Sequence, residues 1–411
     1  MTAEEKPAES AESEQNKKLE KNLFDSVIRG TTRARNVREL GLNTIKYLPA
    51  TIGAVQGFMK AVNWKQAQAD ILQEIEQNVV IIGQPNTGKS TLFNTIKGQK
   101  LSTVSAQTGT TRAVVPASFG PFRLVDTPGI DKPGRLPGDV KDELDNAGVI
   151  VFLIDATKGL QETDRQLYEA VKKLEKPVIL VVNKIDALTG DLNGDRLATE
   201  IAVMLNVPGI IPISAMTGEN VAEELLPAMI EASPEAAFLI GRELPRYRRG
   251  AAQRIIRNST LISLAAGIEP IPLIDIPILL GTQLRLVLRV AALYGDPLDS
   301  ADARKHARKL IATIVGGLGF RLLAEQAAKA VPFGGDFVAG AIAGAATWSI
   351  GQVALEYYEG GKQIAPRRLR QLYLDFYSRF RKEHKADEFR EYALDGEDGL
   401  LLLDRPGTAA E

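Results

Sequence analysis

The sequence contains no cysteine and only two histidines, His306 and His384, among its 411 residues. The absence of cysteine excludes disulfide bonds, thiolate zinc sites and cysteine nucleophiles. Two isolated histidines offer little basis for a histidine metal site or a catalytic triad. We expect both of them to be ordinary solvated or packed residues.

An excess of charge of one sign is also lacking. The chain has 50 Lys and Arg against 51 Asp and Glu, which gives a formal net charge of −1. No global basic field therefore points to nucleic acid, and any basic patch has to be local. At 411 residues the chain is long enough for two or three domains with cores of their own.

The amino-terminal segment lacks the apolar core of a secretory signal. Residues 1–21 are rich in Glu, Lys, Ala and Ser, and their low hydrophobicity predicts a disordered tail. We therefore expect a protein on the cytoplasmic side, soluble or membrane-associated, and not a secreted one. Residues 22–77 are predicted to form a helical extension, and the acidic residues 394–411 a flexible tail.

The most informative motif in the chain is a glycine-rich loop with the spacing G-x-x-x-x-G-K-S. It covers residues 83–90, after the apolar run 79–82 and before the predicted helix Lys89–Ile96. Such a loop turns backbone N–H groups toward phosphate oxygens at the positive end of a helix. Lys89 would reach the β- and γ-phosphates, and the Ser90 hydroxyl would ligate Mg²⁺. The loop predicts a nucleoside triphosphate site formed by Gly83, Asn86, Thr87, Gly88, Lys89, Ser90 and Thr91.

Apolar runs alternate with helical patterns over residues 78–232, which indicates an α/β fold with a mostly parallel six-stranded sheet. All-helical regions are expected on both sides of it. The predicted strands are Asn78–Gly83, Ala113–Phe119, Phe122–Asp126, Val149–Asp155, Val178–Asn183 and Ile210–Ile213. Further helices are predicted at Val140–Ala147, Asp164–Leu174, Asp195–Leu205 and Glu219–Glu231. The short gap at residues 120–121 predicts a hairpin, so one strand should run antiparallel to the others.

Asp126-Thr127-Pro128-Gly129 follows the third predicted strand. There the Asp126 carboxylate can hold Mg²⁺ through water, and the Gly129 N–H can meet the γ-phosphate. Both are expected at the carboxyl ends of the strands, where open α/β sheets bind ligands.

A second motif, Asn183-Lys184-Ile185-Asp186, ends the fifth predicted strand and predicts that the bound base is guanine. Asp186 can accept hydrogen bonds from guanine N1–H and N2–H₂, and adenine offers neither donor. Lys184 would lie over the base plane, and Asn183 would tie this loop to the phosphate loop. Ser214-Ala215, after the last strand, fits a backbone contact to guanine O6.

Together these segments resemble the translation-factor-like class of small GTPase domains, especially the bacterial Era and TrmE type, over residues 78–232. The resemblance implies a P-loop fold that binds GTP or GDP with Mg²⁺ and hydrolyses GTP. It places the threonine that completes the Mg²⁺ shell at Thr111, within Gly109-Thr110-Thr111-Arg112, with Thr110 as the alternative. The metal set is then Ser90, Thr111 and Asp126, and the catalytic set is Lys89, Thr111, Gly129 and Asn86.

Two residues bear on the mechanism that this resemblance implies. Ile130 stands where other small GTPases carry a water-orienting glutamine, so basal hydrolysis should be slow. Asn86 occupies the position at which members of the family bind a potassium ion in place of an arginine finger. G domains without the glutamine often act as face-to-face dimers, so a G-domain homodimer is a further expectation.

Residues 240–385 are predicted to form a second, helical domain. Arg246, Arg248, Arg249, Arg254 and Arg257 precede the apolar stretch 259–281, in which prolines and acidic residues argue against a single spanning helix. Of these arginines, Arg246, Arg248 and Arg249 can meet anionic headgroups or form a solvated helix face. The stretch Phe337–Leu355 carries no charge and contains a small-xxx-small pattern, Gly340 to Gly344, suited to close helix contact. It fits a buried helix of a bundle or a membrane-embedded helix, and we favour membrane contact.

Residues 254–359 resemble the DUF697 family, helical regions of unknown function often found beside such GTPase domains and often associated with membranes. The resemblance rests on residues 266–272, Asp275, Gln283, Leu293-Tyr294-Gly295 and residues 332–335. The final helix, with Leu369, Leu372, Tyr373, Phe376, Tyr377 and Phe380 at helical spacing, is predicted to pack in a core.

Three functions fit this organisation. GTP state can control a helical module at or near a membrane, with contact through residues 254–359; this is the function we favour. An Era-like role in RNA or ribosome assembly is the first alternative, although no KH loop, RNP motif or net basic charge indicates nucleic acid. A GTP-sensing scaffold with little turnover is the second.

Overall fold

The computed structural model describes residues 77–105, 118–125, 138–189, 193–266, 275–297 and 335–384, with residues 69, 71, 305–307, 309 and 310 besides. The predicted tails 1–21 and 394–411, and nearly all of the predicted extension 22–77, lie outside these residues. Within the described part, an α/β domain precedes a helical bundle.

The sheet has six strands, and five of them run parallel. The strands are β1 Asn78–Gly83, β2 Ser118–Phe119, β3 Phe122–Leu124, β4 Ala147–Asp155, β5 Val178–Asn183 and β6 Ile211–Ile213. Their order is β2-β3-β1-β4-β5-β6, and β2 pairs antiparallel with β3. All nine residues of β4 are buried, as expected for a central strand covered on both faces. The predicted fold class and its single antiparallel strand are confirmed.

The helices of the α/β domain lie close to their predicted positions. They are α1 Lys89–Ser105, α2 Gly138–Asp145, α3 Glu162–Lys172, α4 Gly194–Leu205 and α5 Leu226–Ala232. The predicted helix Glu219–Glu231 instead begins with a π-helical turn, Val221–Leu225, before α5. Pro227 lacks the N–H that an uninterrupted α-helix would use, so the regular hydrogen bonding restarts there.

A bundle of five described helices follows: α6 Pro234–Glu243, α7 Arg248–Ala266, α8 Asp275–Leu293, α9 Gly335–Glu359 and α10 Pro366–Glu383. Small residues let α9 approach its neighbours closely. A Cβ built on Gly344 would lie 2.5 Å from Leu264 Cγ, and one built on Gly351 would lie 2.8 Å from Ile256 Cγ1. The close helix contact predicted from the small-xxx-small pattern is thus confirmed at Gly344.

Burial in the bundle accounts for the uncharged stretch Phe337–Leu355. Between Ala341 and Leu355 every side chain except Trp348 is buried, because α9 packs against α7, α8 and α10. Among the described residues, no helix combines the length and apolarity needed to cross a membrane. Of the two alternatives for this stretch, the buried bundle helix is the one observed, and the preference for membrane contact finds no support. The stripe on α10 also packs as predicted, with Leu369, Tyr373 and Phe380 buried.

Arg248 and Arg249, before the apolar stretch 259–281, contact other residues of the protein. Arg246 and Arg249 are also exposed, as the alternative of a solvated helix face expects. Arg249 pairs with Glu356 (Nη2 to Oε1, 3.2 Å) and with Glu359. The guanidinium of Arg248 lies over the Tyr294 ring, 5.3 Å from its centroid.

The two arginines farther along α7 are buried at the end of α5. Arg257 Nη2 donates to both carboxylate oxygens of Glu231 at 2.5 and 2.6 Å, and Arg254 Nε donates to the Glu231 carbonyl at 3.0 Å. Both guanidinium groups are therefore held inside the protein.

Helix α6 joins the sheet and the bundle into one continuous core. It packs on β1 and β4 with one side and on α7 and α8 with the other. Ser233 fixes its start, because the Ser233 hydroxyl accepts from Ala236 N (3.0 Å) and donates to Gly148 O (3.2 Å). One apolar cluster consequently runs from Val79 and Val151 of the sheet to Tyr373 of α10, and it includes Ile71.

Candidate nucleotide-binding site

The glycine-rich loop connects β1 to α1 and leaves no room for side chains at its two glycines. A Cβ built on Gly83 would lie 2.5 Å from Leu153 O, and one on Gly88 would lie 2.2 Å from Asn183 Nδ2. Gly88 also has φ +96°, and Asn86 has φ +66°, in the left-handed region. The tight backbone path therefore requires glycine at both positions, and it presents the exposed Asn86, Ser90 and Thr91 at the loop surface.

Lys89 lies against the inside of this loop. Its side chain is largely buried, at 6% exposure, and Nζ donates to the Gly83 and Gln84 carbonyl oxygens at 3.0 and 3.2 Å. The Thr87 hydroxyl donates to the same Gln84 carbonyl at 2.9 Å. These two carbonyl oxygens are neutral acceptors, and phosphate oxygens would replace them with charged acceptors, which bind a cation more strongly.

Asn183 connects three loops at the carboxyl end of the sheet. It is buried, its Nδ2 donates to Thr87 O of the glycine-rich loop at 2.7 Å, and its Oδ1 accepts from Ala215 N at 2.8 Å. The tie to the phosphate loop that the sequence predicts is present, and it extends to the Ser214-Ala215 loop as well.

Asp155 is a residue of this site that the sequence analysis did not identify. It ends β4 directly beside Asn183 in the parallel register, and its Oδ2 accepts from Lys184 Nζ at 2.7 Å. Thr157 donates to Oδ1 through its N–H (3.0 Å) and its hydroxyl (2.7 Å). Burial alone would raise the pKa of Asp155, but the hydrogen bonds from Lys184 and Thr157 outweigh it and hold the pKa below its ordinary value.

This contact restricts the orientation of the Lys184 side chain. Lys184 itself has φ +75°, in the left-handed region, at the start of the short 3₁₀ helix Ile185–Ala187. Asp186 lies in that helix and is exposed, so its carboxylate is accessible to a base. Ser214 is buried, and its Oγ accepts from Thr217 N at 3.1 Å, which shapes the loop after β6.

Four residues of the predicted site lie outside the described residues: Thr111, Asp126, Gly129 and Ile130. The described part therefore contains the phosphate loop and the loops predicted to bind the base, and it contains Ser90 of the predicted metal set. Ser90 is exposed at the start of α1, beside Lys89, a position that fits a hydroxyl ligand of Mg²⁺.

Family models match two parts of the chain. Residues 78–184 match the model described as 50S ribosome-binding GTPase, and residues 232–382 match the domain of unknown function DUF697. The second match is longer than the 254–359 resemblance, and it takes in α6 and most of α10.

Among curated proteins, the chain is 37% identical to GTPase Era of Aquifex aeolicus (strain VF5) over 182 residues, which is 40% of this chain and 60% of that protein. It is 39% identical to GTPase Era of Clostridium kluyveri (strain NBRC 12016) over 166 residues, 38% of this chain and 56% of that protein. The chain thus spans less than two thirds of the length of these relatives.

Solved structures of Era also match. A variant of Aquifex aeolicus Era bound to GDP and aluminium fluoride is 32% identical, covers 45% of this chain and 67% of that chain, and gives a TM-score of 0.29. Era in complex with MgGDPNP and nucleotides 1506–1542 of 16S ribosomal RNA is 32% identical, with 45% and 66% coverage and a TM-score of 0.28. From the family matches and the Era relatives, the chain carries an Era-like GTPase domain joined to a DUF697 helical domain.

Proposed function

We propose that the protein hydrolyses GTP to GDP and phosphate, and that its nucleotide state controls the DUF697 domain. The observation that carries this proposal is the pair of hydrogen bonds of Asn183 to Thr87 O and Ala215 N. These bonds hold the loop that would bind the triphosphate and both loops that would bind the base at one edge of the sheet, where α/β folds take their ligands.

The reaction is in-line attack of water on the γ-phosphorus, with cleavage of the bond to the oxygen that bridges the β- and γ-phosphates. Lys89 and the loop N–H groups stabilise the charge that develops on the phosphate oxygens. Ser90 and Thr111, with Asp126 through water, would hold Mg²⁺, which neutralises part of the same charge. Because Ile130 cannot orient water by hydrogen bonding, we expect slow basal turnover.

Hydrolysis should depend on the monovalent cation. Asn86, exposed with φ +66° at the loop surface, is in a position to bind potassium beside the phosphates. In a single-turnover assay with GTP, we expect KCl to raise the rate about tenfold or more over NaCl, since a bound cation supplies part of the stabilisation of an arginine finger. Asn86→Ala should remove the difference. Equal rates in the two salts would contradict this role and would favour a GTP sensor with little turnover.

Contacts among the described residues connect the GTPase domain to the helical domain in addition to the shared core. The carboxylate of Glu231, at the end of α5, binds the buried arginines of α7. The Glu243 side chain, at the end of α6, packs against the hairpin turn between β2 and β3, where a Cβ on Gly120 would lie 2.6 Å from Glu243 Cδ. In the sequence, that hairpin lies between Thr111 and Gly129. We propose that a change in either of those predicted switch segments reaches α6 through the hairpin.

Glu231→Gln should test the first of these contacts. Glu231 is 53% exposed, whereas the Arg254 and Arg257 side chains are 5% and 9% exposed, so the substitution removes a carboxylate from two buried cations. Since water partly screens Glu231, we expect a loss of about 2 kcal/mol in the free energy of unfolding, less than for a fully buried pair. As a control, Glu200→Gln breaks the exposed Arg196 pair and should cost under about 0.5 kcal/mol.

The same variant tests the control of the helical domain. In the wild type, hydrogen exchange in α7 and α9 should differ between the GDP form and a form with a non-hydrolysable GTP analogue. Glu231→Gln should reduce that difference while leaving nucleotide affinity unchanged. Identical exchange of α7 to α10 in both wild-type nucleotide states would overturn the proposal that GTP controls this domain.

A second function, in RNA or ribosome assembly, is favoured by the names of the Era relatives and by the exposed charges of the DUF697 domain. The Era relatives share the GTPase domain, and one solved Era complex contains 16S ribosomal RNA. The chain spans only part of those proteins, so any RNA contact of this chain has to be argued from its own residues. The exposed charges of the DUF697 domain supply that argument. Action at a membrane, and a G-domain homodimer, stay predictions of the sequence.

A further inference from the structure

The near-zero net charge of the chain conceals a strongly basic segment that precedes its acidic carboxyl-terminal residues. Residues 246–384 contain 20 Lys or Arg and 11 Asp or Glu, a net charge of +9 in a chain whose total is −1. Such an asymmetry between parts of one chain is typical of proteins that bind polyanions. Several of these charges are used internally, as the pairs of Arg249, Arg254 and Arg257 show.

Helix α10 presents an excess of positive charge to solvent. Its apolar side is buried in the bundle, and its outward side carries six exposed basic residues against two exposed acidic ones, Asp375 and Glu383. The basic residues are Arg367, Arg368, Arg370, Arg379, Arg381 and Lys382. At 1.5 Å per residue this basic face is about 22 Å long.

The amino-terminal end of α10 is arranged unfavourably for the helix alone. Arg367, Arg368 and Arg370 stand in or beside the first turn, which contains no acidic residue, and the N-cap residue Ala365 makes no side-chain hydrogen bond. Cations at this end oppose the helix macrodipole, and the first N–H groups have no side-chain acceptor from the cap. A bound anion would offset the unfavourable interaction of the cations with the macrodipole and would accept from the first N–H groups.

We propose that the basic face of α10 binds the sugar–phosphate backbone of RNA. Five of the six cations are arginines, whose planar guanidinium groups match phosphate oxygens in bidentate geometry. The contact is with phosphates and is therefore independent of base sequence. It requires neither the KH loop nor the RNP aromatic residues that the sequence lacks.

An anionic bilayer fits this face less well. Interfacial helices gain much of their affinity by burying an apolar side among the lipids. On α10 that side is occupied, because Leu369, Tyr373 and Phe380 pack in the bundle. The large apolar residue exposed on the outward side is Leu374, at 36%. A phosphate backbone needs only the charges that α10 offers.

The test measures binding of a labelled single-stranded RNA to the full-length protein in its GDP form, by fluorescence anisotropy across a salt series. We compare the wild type with the triple variant Arg367→Gln, Arg368→Gln, Arg370→Gln. The matched control is Lys141→Gln, Lys172→Gln, Lys173→Gln, which removes three exposed charges from the GTPase domain. Vesicles of phosphatidylcholine with and without phosphatidylglycerol are examined in parallel.

We expect the α10 variant to bind RNA about tenfold or more weakly, with a salt slope shallower by about 2, since each phosphate contact contributes about 0.7 on a single strand. The control variant should bind as the wild type does. Thermal unfolding of the α10 variant checks that its fold is intact. Equal RNA affinity of the wild type and the α10 variant, equal losses in both variants, or binding only to phosphatidylglycerol vesicles would overturn the proposal. None of these outcomes bears on GTP hydrolysis.

Discussion

Lys89→Ala should abolish measurable binding of GTP. In the free protein the Lys89 ammonium is held inside the loop by the carbonyl oxygens of Gly83 and Gln84. With a triphosphate bound, the same ammonium would bind the β- and γ-phosphates in a largely buried position, where each charge-assisted hydrogen bond contributes about 1.5–3 kcal/mol. Loss of two such bonds corresponds to a decrease in affinity of more than about 100-fold.

The measurement is calorimetric titration with a non-hydrolysable GTP analogue, so that turnover does not affect the binding curve. Lys173→Ala, which removes an exposed lysine after α3, is the control and should bind as the wild type does. Thermal unfolding of both variants without nucleotide checks that the fold is intact, because alanine leaves the Gly83 and Gln84 carbonyl oxygens without the Lys89 donor. Retention of wild-type affinity by a folded Lys89→Ala protein would show that the triphosphate site lies elsewhere.

Features that depend on local spacing could be predicted from the sequence. The bounds of β1 and β5 agree with the prediction. The apolar run of β1 ends at Gly83, which begins the phosphate loop, and that of β5 ends at Asn183, which connects the loops. The connection from Asn183 to the phosphate loop could also be anticipated, since parallel strands bring their carboxyl ends to one edge.

Side-chain contacts between residues that are distant in the sequence could not be predicted. A single aspartate at a strand end has no motif around it, and only the register beside Asn183 shows that Asp155 binds Lys184. The burial of Arg254 and Arg257 depends on Glu231, more than twenty residues earlier, and no periodicity links them. The stretch Phe337–Leu355 is apolar on all sides, a pattern that a bundle centre and a bilayer share.

The charge of the helical domain is a different case, because the sequence does contain it. The total of −1 averages the basic segment 246–384 with acidic residues on both sides of it, and only the structure separates internal pairs from exposed cations. Both arginines of the α5–α7 contact act inside the protein, whereas those of α10 face solvent. The phosphate-binding proposal therefore depends on the exposure of specific side chains, which composition cannot give.

Asp186→Asn should change the base specificity of the site and leave the phosphate site intact. A carboxylate accepts hydrogen bonds from both guanine N1–H and N2–H₂, whereas the asparagine amide brings an N–H₂ group against the guanine amino group. A site built to accept these two donors rejects a mismatched partner strongly, so we expect GTP affinity to fall more than about 100-fold. Xanthosine triphosphate has a carbonyl oxygen in place of the amino group. It can accept from the new amide, and its affinity should rise.

Titration of the wild type, Asp186→Asn and the control Asp142→Asn with non-hydrolysable analogues of both nucleotides measures this exchange. Asp142 is exposed on α2, so its variant should prefer GTP as the wild type does. Because Lys89 and the loop N–H groups are unchanged in Asp186→Asn, the best xanthosine affinity should approach the wild-type affinity for GTP. A variant that loses both nucleotides would indicate that Asp186 supports the loop after β5, and a variant that keeps GTP would show that it does not contact the base. If Lys89→Ala loses every nucleotide, the loop of Lys89 binds the phosphates. If Asp186→Asn exchanges GTP for xanthosine triphosphate, the loop of Asp186 recognises the base. Phosphate binding and base recognition would then belong to separate loops that Asn183 joins.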